Sequence, residues 1–110
     1  MASTPRATNT LLSDSPAAIF SPTSGFNCWV DALTLANNSG GDVVVEIWRD
    51  NSSTNSVALP AKTLATGASY PVVEMIGQWI LDGGAIIAKA NVAGVVAVIF
   101  SGREFAVATS

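Results

Sequence analysis

Residues 79–103 constrain the fold of this chain more than any other segment. β-Branched residues crowd the second half of the segment, glycines interrupt it, and no helical period of apolar residues runs through it. The pattern predicts three strands: one that ends at Leu81, one over residues 85–90 and one over residues 95–103. The turn at residues 91–94 predicts that the last two strands pair as a hairpin.

The last of these strands is apolar on both faces. Alternate residues from Val96 to Phe100 fall on one side of the extended chain, and those from Val95 to Ile99 fall on the other. An antiparallel strand with one face in water alternates apolar and polar residues. Either a further layer packs over the back of this strand or its outer face meets another subunit, because large exposed apolar surfaces are rare.

Length and composition predict one globular domain. The chain has 110 residues, enough to bury about two thirds of its unfolded surface, so folding requires neither a metal nor a disulfide. Hydrophobic residues make up 49% of the chain and charged residues 12%, but glycine and asparagine interrupt the apolar runs, which are too short to span a bilayer. The first residues lack the basic start and apolar block of a secretory signal. We therefore expect no membrane segment and no export by that route.

The charged and reactive residues exclude several kinds of site. Five basic residues are spread singly along a chain of net charge −3, which leaves no basic stripe for nucleic acid. Histidine is absent, which excludes histidine metal sites and a histidine general base. The single cysteine, Cys28, has no cluster of cations beside it, so we expect an inert core residue. The sequence therefore predicts no cofactor, no metal and no nucleic-acid partner.

Paired carboxylates are the one catalytic arrangement that the composition allows. Candidates for a glycosidase-like acid and base are Asp31, Glu46, Glu74 and Asp82. Asp31 and Glu46 fall where an exposed strand face is expected, Glu74 precedes a loop, and Asp82 begins an Asp-Gly-Gly turn. These positions favour surface and turn roles, so we predict that the chain is not an enzyme.

The first 24 residues differ in composition from the rest. Serine, threonine, proline, alanine and asparagine dominate, and three prolines break any helix or central strand. We interpret residues 1–24 as an extended N-terminal arm and residues 25–110 as the folded domain, although a frayed terminus has a similar composition. Small apolar clusters in the arm are spaced like anchors for another protein: Leu11, Leu12, Ile19 and Phe20.

Turn signals recur about every ten residues through the folded domain. The strand at residues 28–37 is predicted to place Trp29 on the same face as Leu33. The turn at residues 37–42 joins it to a valine-rich strand at residues 43–48, as another hairpin or a longer β connection. Short strands follow, giving about eight in all. The predicted fold class is all-β, an antiparallel β-sandwich of jelly-roll type with an N-terminal arm.

Three tryptophans are the largest side chains available for packing or binding. Trp29, Trp48 and Trp79 could stack sugars on an exposed face, as in a carbohydrate-binding module, but core or interface roles are commoner in a β-sandwich. Arg103 and Glu104 are expected to pair at a sheet edge and guard it against strand addition. The predicted subunit-interface residues are Trp48, Trp79, Val95 and Ile99.

Four segments, in order, resemble a recurrent type of small virion protein of tailed bacteriophages. They are Leu-Ala-Asn-Asn-Ser at residues 35–39, the valine-rich strand with Ile47-Trp48, Leu-Asp-Gly-Gly-Ala-Ile-Ile-Ala-Lys-Ala at residues 81–90, and Val-Ile-Phe-Ser-Gly-Arg-Glu at residues 98–104. Proteins of this type are compact β-sandwiches, and the shared motifs are turns and strands without functional side chains.

The resemblance implies a non-enzymatic structural protein of the virion, assembled in the host cytoplasm. The arm and the doubly apolar strand favour a capsid cement or decoration protein. Such a protein stabilises the head by binding between major capsid proteins, often as a homotrimer, and uses extended arms to tie capsomers together. A tail, neck or fibre-attachment subunit is the alternative, and a carbohydrate-binding module is the third. The implied partner is the major capsid protein or another virion protein.

Overall fold

The computed structural model describes residues 3–51 and 56–107. Residues 1 and 2 of the expected arm and residues 108–110 of the expected domain lie outside these ranges. Within them, the one helical segment is a single 3₁₀ turn, Val73–Met75, so no helix is long enough to cross a membrane. The strands are β1 Thr4–Leu11, β2 Ala17–Phe20, β3 Phe26–Asn37, β4 Val43–Asp50, β5 Ser56–Ala58, β6 Lys62–Leu64, β7 Ser69–Pro71, β8 Trp79–Ile80, β9 Ala85–Ala90 and β10 Val96–Ala106.

These strands form two antiparallel sheets that pack face to face. Sheet 1 has the order β1-β10-β3, and both β7 and β8 pair with the remaining edge of β3. Sheet 2 has the order β2-β9-β4, and both β5 and β6 pair with the remaining edge of β4. The chain passes between the sheets in the order of a jelly roll, which confirms the predicted fold class. The described residues form ten strands because the fourth position of each sheet is split, by Pro60 in sheet 2 and by the 3₁₀ turn in sheet 1.

The hairpin predicted at residues 91–94 does not form, and of the two alternatives for residues 37–42 the hairpin is excluded. β3 and β4 lie in different sheets, as do β9 and β10, so the turns at residues 37–42 and 91–94 cross the sandwich. In the second turn, Asn91 exchanges two hydrogen bonds with Val44 beside sheet 2, and the Gly94 N–H donates to the Leu12 carbonyl oxygen beside sheet 1. Because each of these strands has an apolar inner face, a crossing turn lets both faces close over one core.

The N-terminal residues belong to the sandwich, which corrects the expected boundary at residue 24. β1 pairs with β10 along its full length, and β2 pairs with β9. β1 is an edge strand, where Pro5 is tolerated because the ladder does not need every N–H. Most side chains of β1 are exposed, so its composition resembles that of an unattached arm.

One hydrophobic core lies between the two sheets. As the alternation in the last strand predicted, Val96, Val98 and Phe100 face inward and are at most 1% exposed. The ring of Phe20 in β2 stacks on that of Phe100 in β10, with ring centroids 4.2 Å apart, and so connects the two sheets.

A β-bulge in β3 reverses which residues of that strand face the core. The pairing of β3 with β10 slips between Ser101 and Gly102, leaving Asp31 as the extra residue. Trp29 therefore lies on the outer face of sheet 1, whereas the sequence predicted it on the face of Leu33. The bulge depends on Gly102, because a Cβ atom there would lie 2.6 Å from the Trp29 carbonyl oxygen.

Candidate functional site

The outer face of sheet 1 carries an exposed patch formed by Leu11, Ala36, Ala97 and Ile99, which we call the apolar patch. Leu11 of β1 lies opposite Ala97 of β10, which in turn lies opposite Ala36 of β3. Ile99 points to the same face two residues further along β10. Leu11 is 57% exposed and Ile99 is 58% exposed, so no part of the described chain covers them.

Neutral residues surround the apolar patch. Asn9 of β1 and Thr34 of β3 lie on either side of Ile99. Asn9, Thr10 and Val98 complete the lining of a shallow groove between Leu11 and Ile99. Full burial of one large aliphatic side chain is worth about 1.5–3 kcal/mol, so the patch favours contact with another apolar surface over ion pairing.

An aromatic cluster, formed by Trp29, Trp79 and Phe105, occupies the other end of the same face. Trp29 and Trp79 are cross-strand partners whose ring centroids lie 5.1 Å apart at an interplanar angle of 73°. Phe105 contacts Trp79 at 5.5 Å and 65°. Trp79 is 40% exposed, so the cluster is partly open to solvent.

An ion pair adjoins the aromatic cluster. Arg103 of β10 lies opposite Trp29 of β3. Its Nε and Nη2 each donate a hydrogen bond of 3.0 Å to the Asp31 carboxylate, and these bonds raise the pKa of Arg103. The bulge creates this pair, because it gives Asp31 a position beside Arg103 on the outer face.

The four predicted interface residues do not form one surface. Ile99 belongs to the apolar patch and Trp79 to the aromatic cluster. Trp48 lies on the outer face of sheet 2, opposite Ile87. Val95 is partly buried against the core. An interface role for these residues stays a prediction.

Three of the four predicted arm anchors lie in the core of this chain. Leu12 is 1% exposed, Ile19 is 9% exposed and Phe20 is 4% exposed, so none is free to dock on another protein in this conformation. Leu11 alone is exposed, as part of the apolar patch. The sequence therefore indicated which apolar residues become buried. They are buried in the core of this chain, between its two sheets, and not against another protein.

Two of the candidate carboxylates form surface ion pairs far from one another. Asp31 binds Arg103 on sheet 1, and Glu46 lies 3.3 Å from the Lys89 ammonium on sheet 2. The two outer faces point away from each other, so these carboxylates cannot act as an acid and base on one substrate.

The other two carboxylates have local partners. Asp82 accepts a hydrogen bond from the Gly25 N–H. Glu74 lies beside Tyr70, whose pKa is raised by burial and then by the Glu74 charge. Across residues 3–51 and 56–107, no three cysteine, aspartate or glutamate side chains converge to hold a metal ion.

A buried polar network joins β1, β10 and the segment before β3, and the sequence did not predict it. Glu104 is 3% exposed. Its carboxylate accepts hydrogen bonds from Arg6 at 2.6 Å, from the Thr23 N–H at 2.7 Å and from the Thr23 hydroxyl at 2.9 Å. The Arg6 guanidinium also lies 5.0 Å from the Phe20 ring centroid. The expected pair between Arg103 and Glu104 does not form, because adjacent strand residues point to opposite faces.

A small pocket lies between β5 and the 3₁₀ turn. Inside it, Arg49 donates to the Gln78 side-chain oxygen, and Arg49 Nε is buried without a partner in the described chain. The pocket already holds the Arg49–Gln78 hydrogen bond, whereas Leu11 and Ile99 on the outer face of sheet 1 are more than half exposed. The lining residues are Arg49, Val57, Leu59, Glu74, Met75 and Gln78.

Cys28 faces the core from β3. Burial, and then the charge of Glu104, raises the pKa of this thiol to about 11. A thiol that stays protonated at neutral pH is neither a nucleophile nor a ready metal ligand.

Comparisons with known proteins identify no family for this chain. No protein-family model matches it. Neither the curated proteins nor the solved structures gave a match.

Proposed function

We propose that the chain is a non-enzymatic structural protein of a bacteriophage virion, and that it decorates and stabilises the capsid by binding major capsid protein. The observation that carries the proposal is the exposed apolar patch, because Leu11 and Ile99 are more than half exposed on a face of regular strands. An apolar surface on a rigid sheet favours a permanent protein contact.

The resemblance of residues 35–39, 47–48, 81–90 and 98–104 to small phage virion proteins supports the same proposal. The jelly-roll fold is also found in viral capsid domains. The dispersed carboxylates and the raised pKa of Cys28 give no support to an enzymatic role within the described chain.

The structure changes the proposed mechanism of attachment. A free arm anchored by Leu12, Ile19 and Phe20 is not available, because these residues fill the core. In the proposal, the partner therefore meets the face of sheet 1, and Leu11 contributes to it from the end of β1. Assembly as a homotrimer would present three such faces to the shell and add avidity without new kinds of contact.

The test is to measure the mass of the purified protein by light scattering, then mix it with expanded empty capsids and pellet them. The proposal expects an oligomer, with a trimer favoured, that pellets at the copy number of the capsid lattice. Binding at the copy number of a single ring would instead favour a tail or neck subunit. A protein that stays in the supernatant would contradict a role on the capsid.

A further inference from the structure

We propose that the aromatic cluster and the adjoining Asp31–Arg103 pair form a carbohydrate-binding site that takes a pyranose ring. The site is distinct from the apolar patch: Ile99 and Phe105 lie six residues apart on β10, about 20 Å along the strand. The inference does not depend on a role in a virion.

The aromatic cluster supplies a surface for the apolar face of a sugar. Trp29, Trp79 and Phe105 pack against one another edge to face. Trp79 is 40% exposed although an indole ring can bury a large area. A pyranose ring presents several C–H groups on one face, and these pack against an aromatic ring.

The ion pair supplies donors and acceptors at the edge of that surface. Arg103 binds Asp31 through Nε and Nη2, which leaves Nη1 without a hydrogen-bond partner in the described chain. The carboxylate of Asp31 uses two of its four lone-pair sites in the same pair. Neighbouring hydroxyls of a sugar can therefore donate to Asp31 and accept from Arg103. The two side chains are 37% and 49% exposed, respectively, so a ligand can reach both.

The surrounding backbone holds these side chains in place before any ligand arrives. The side chain of Asn51 donates to the Trp79 carbonyl oxygen at 3.0 Å and accepts from the Leu81 N–H at 2.9 Å, which fixes both ends of β8. Gly77 lies beside the Trp29 ring: a Cβ atom at residue 77 would be 3.5 Å from the Trp29 indole. A preorganised site loses less conformational entropy on binding.

The contrast with the apolar patch favours a sugar over a protein as the occupant. The apolar patch has aliphatic side chains with neutral neighbours, whereas the aromatic cluster combines flat rings with an exposed charged pair that keeps donor and acceptor sites free. A protein partner would have to desolvate that pair, which costs free energy. A sugar would replace the water molecules around the ion pair with its own hydroxyl groups.

Trp48 provides a matched control, because it lies on the opposite sheet. In a Trp48→Phe background the tryptophan fluorescence comes from Trp29 and Trp79 alone. This protein would be titrated with cellohexaose, maltohexaose, mannohexaose, xylohexaose, chitohexaose and smooth lipopolysaccharide, and dissociation constants would be confirmed by calorimetry on the wild type. Lipopolysaccharide as the sole ligand would assign the site to surface glycans, and a hexaose would assign it to soluble saccharides.

The proposal expects saturable binding of at least one of these probes. Trp79→Leu should weaken binding by at least about tenfold, which corresponds to ~1.4 kcal/mol. Trp79→Tyr should restore most of it, and Arg103→Lys should weaken it because the planar fork is lost. Circular dichroism would show that each variant is folded.

Two results would overturn the proposal. One is the absence of saturable binding by every probe. The other is binding that Trp79→Leu leaves unchanged, which would place the sugar elsewhere. Pelleting with capsids that is lost on Trp79→Leu, with no glycan bound, would identify the aromatic cluster as a protein contact and equally exclude a sugar site.

Discussion

The two outer faces of the sandwich both carry apolar side chains but differ in how far they expose them. On sheet 2, Trp48 and Ile87 are cross-strand partners, and both are only partly exposed. The Glu46–Lys89 pair lies on the same two strands and the same face, two residues along. On sheet 1, Leu11 and Ile99 lie beside alanines and are more than half exposed.

The difference shows that apolar content alone does not identify a binding face. On sheet 2, Trp48 and Ile87 lie side by side and each is only partly exposed, and the Glu46–Lys89 pair lies on the same face. On sheet 1, small residues between the large ones leave those large side chains open. Side-chain size on the neighbouring strands therefore decides which apolar residues remain available for contact.

The largest expected effect is at the bulge between β3 and β10, the central strand pair of sheet 1. β4 and β9 pair without a shift, whereas β3 and β10 slip at Gly102. Gly102→Ala would place a Cβ atom 2.6 Å from the Trp29 carbonyl oxygen. We expect it to lower the free energy of unfolding by about 3 kcal/mol or more, as measured by urea denaturation. Gly40→Ala, which meets no atom within 4 Å, is the control and should be near neutral.

A second prediction compares a buried with an exposed glutamate. Glu104→Ala removes three hydrogen bonds from a site 3% exposed, leaves the Thr23 N–H without its acceptor and leaves Arg6 without its carboxylate partner. We expect a loss of about 2–4 kcal/mol. Glu46→Ala breaks a surface pair and should cost at most about 1 kcal/mol. Equal losses in urea melts would contradict the difference in burial on which the comparison rests.

The inner face of sheet 1 can be tested through pH. The pKa of Cys28 rises from 9.0 to about 11 on folding, so the folded protein binds more protons than the unfolded chain between these values. The stability that this thiol contributes is therefore complete below pH 9 and is lost as pH rises towards 11. We expect a loss on the order of 1–2 kcal/mol, which Cys28→Ala should remove. A wild type and variant with the same alkaline slope would show that the thiol is not buried.

The smallest expected stability effect is at the apolar patch. Ile99→Lys replaces a side chain that is 58% exposed, so we expect a change within about 0.5 kcal/mol. Ile87→Lys on sheet 2 removes partly buried apolar area beside Trp48 and should cost about 1–2 kcal/mol. Thermal melts would check the order. A larger loss of stability for Ile99→Lys than for Ile87→Lys would mean that Ile99 is the more buried of the two side chains, contrary to the structure.

The sequence predicted the fold class well because strand alternation and turn spacing are local signals. In β10 and β4, the alternation of residue types along the sequence was enough to predict which side chains share a face, because side chains two residues apart point the same way. The bulge at Asp31 was not, because it depends on which strand lies beside β3. For the same reason, the sequence placed Trp29 on the face of Leu33, whereas the bulge places it on the outer face of sheet 1.

Partners distant in the chain were the main source of error. The hairpin expected at residues 91–94 was wrong, and the connection at residues 37–42 stayed open between two alternatives, because a turn sequence does not show whether the two strands stay in one sheet or cross to another. The network of Glu104 with Arg6 and Thr23 joins residues that no local pattern relates. The segment before residue 24 looked like an arm because an edge strand requires few apolar residues. The apolar patch was predicted in part, through Leu11 and Ile99.

The most direct test of the account is co-sedimentation of Ile99→Lys and Ile87→Lys with expanded empty capsids, at equal protein concentration and below the melting temperature of both. If the capsid binds the outer face of sheet 1, Ile99→Lys will stay in the supernatant although it is as stable as the wild type. Ile87→Lys, on the opposite face, will still pellet. If Ile99→Lys pelleted like the wild type, the outer face of sheet 1 would not be the docking surface.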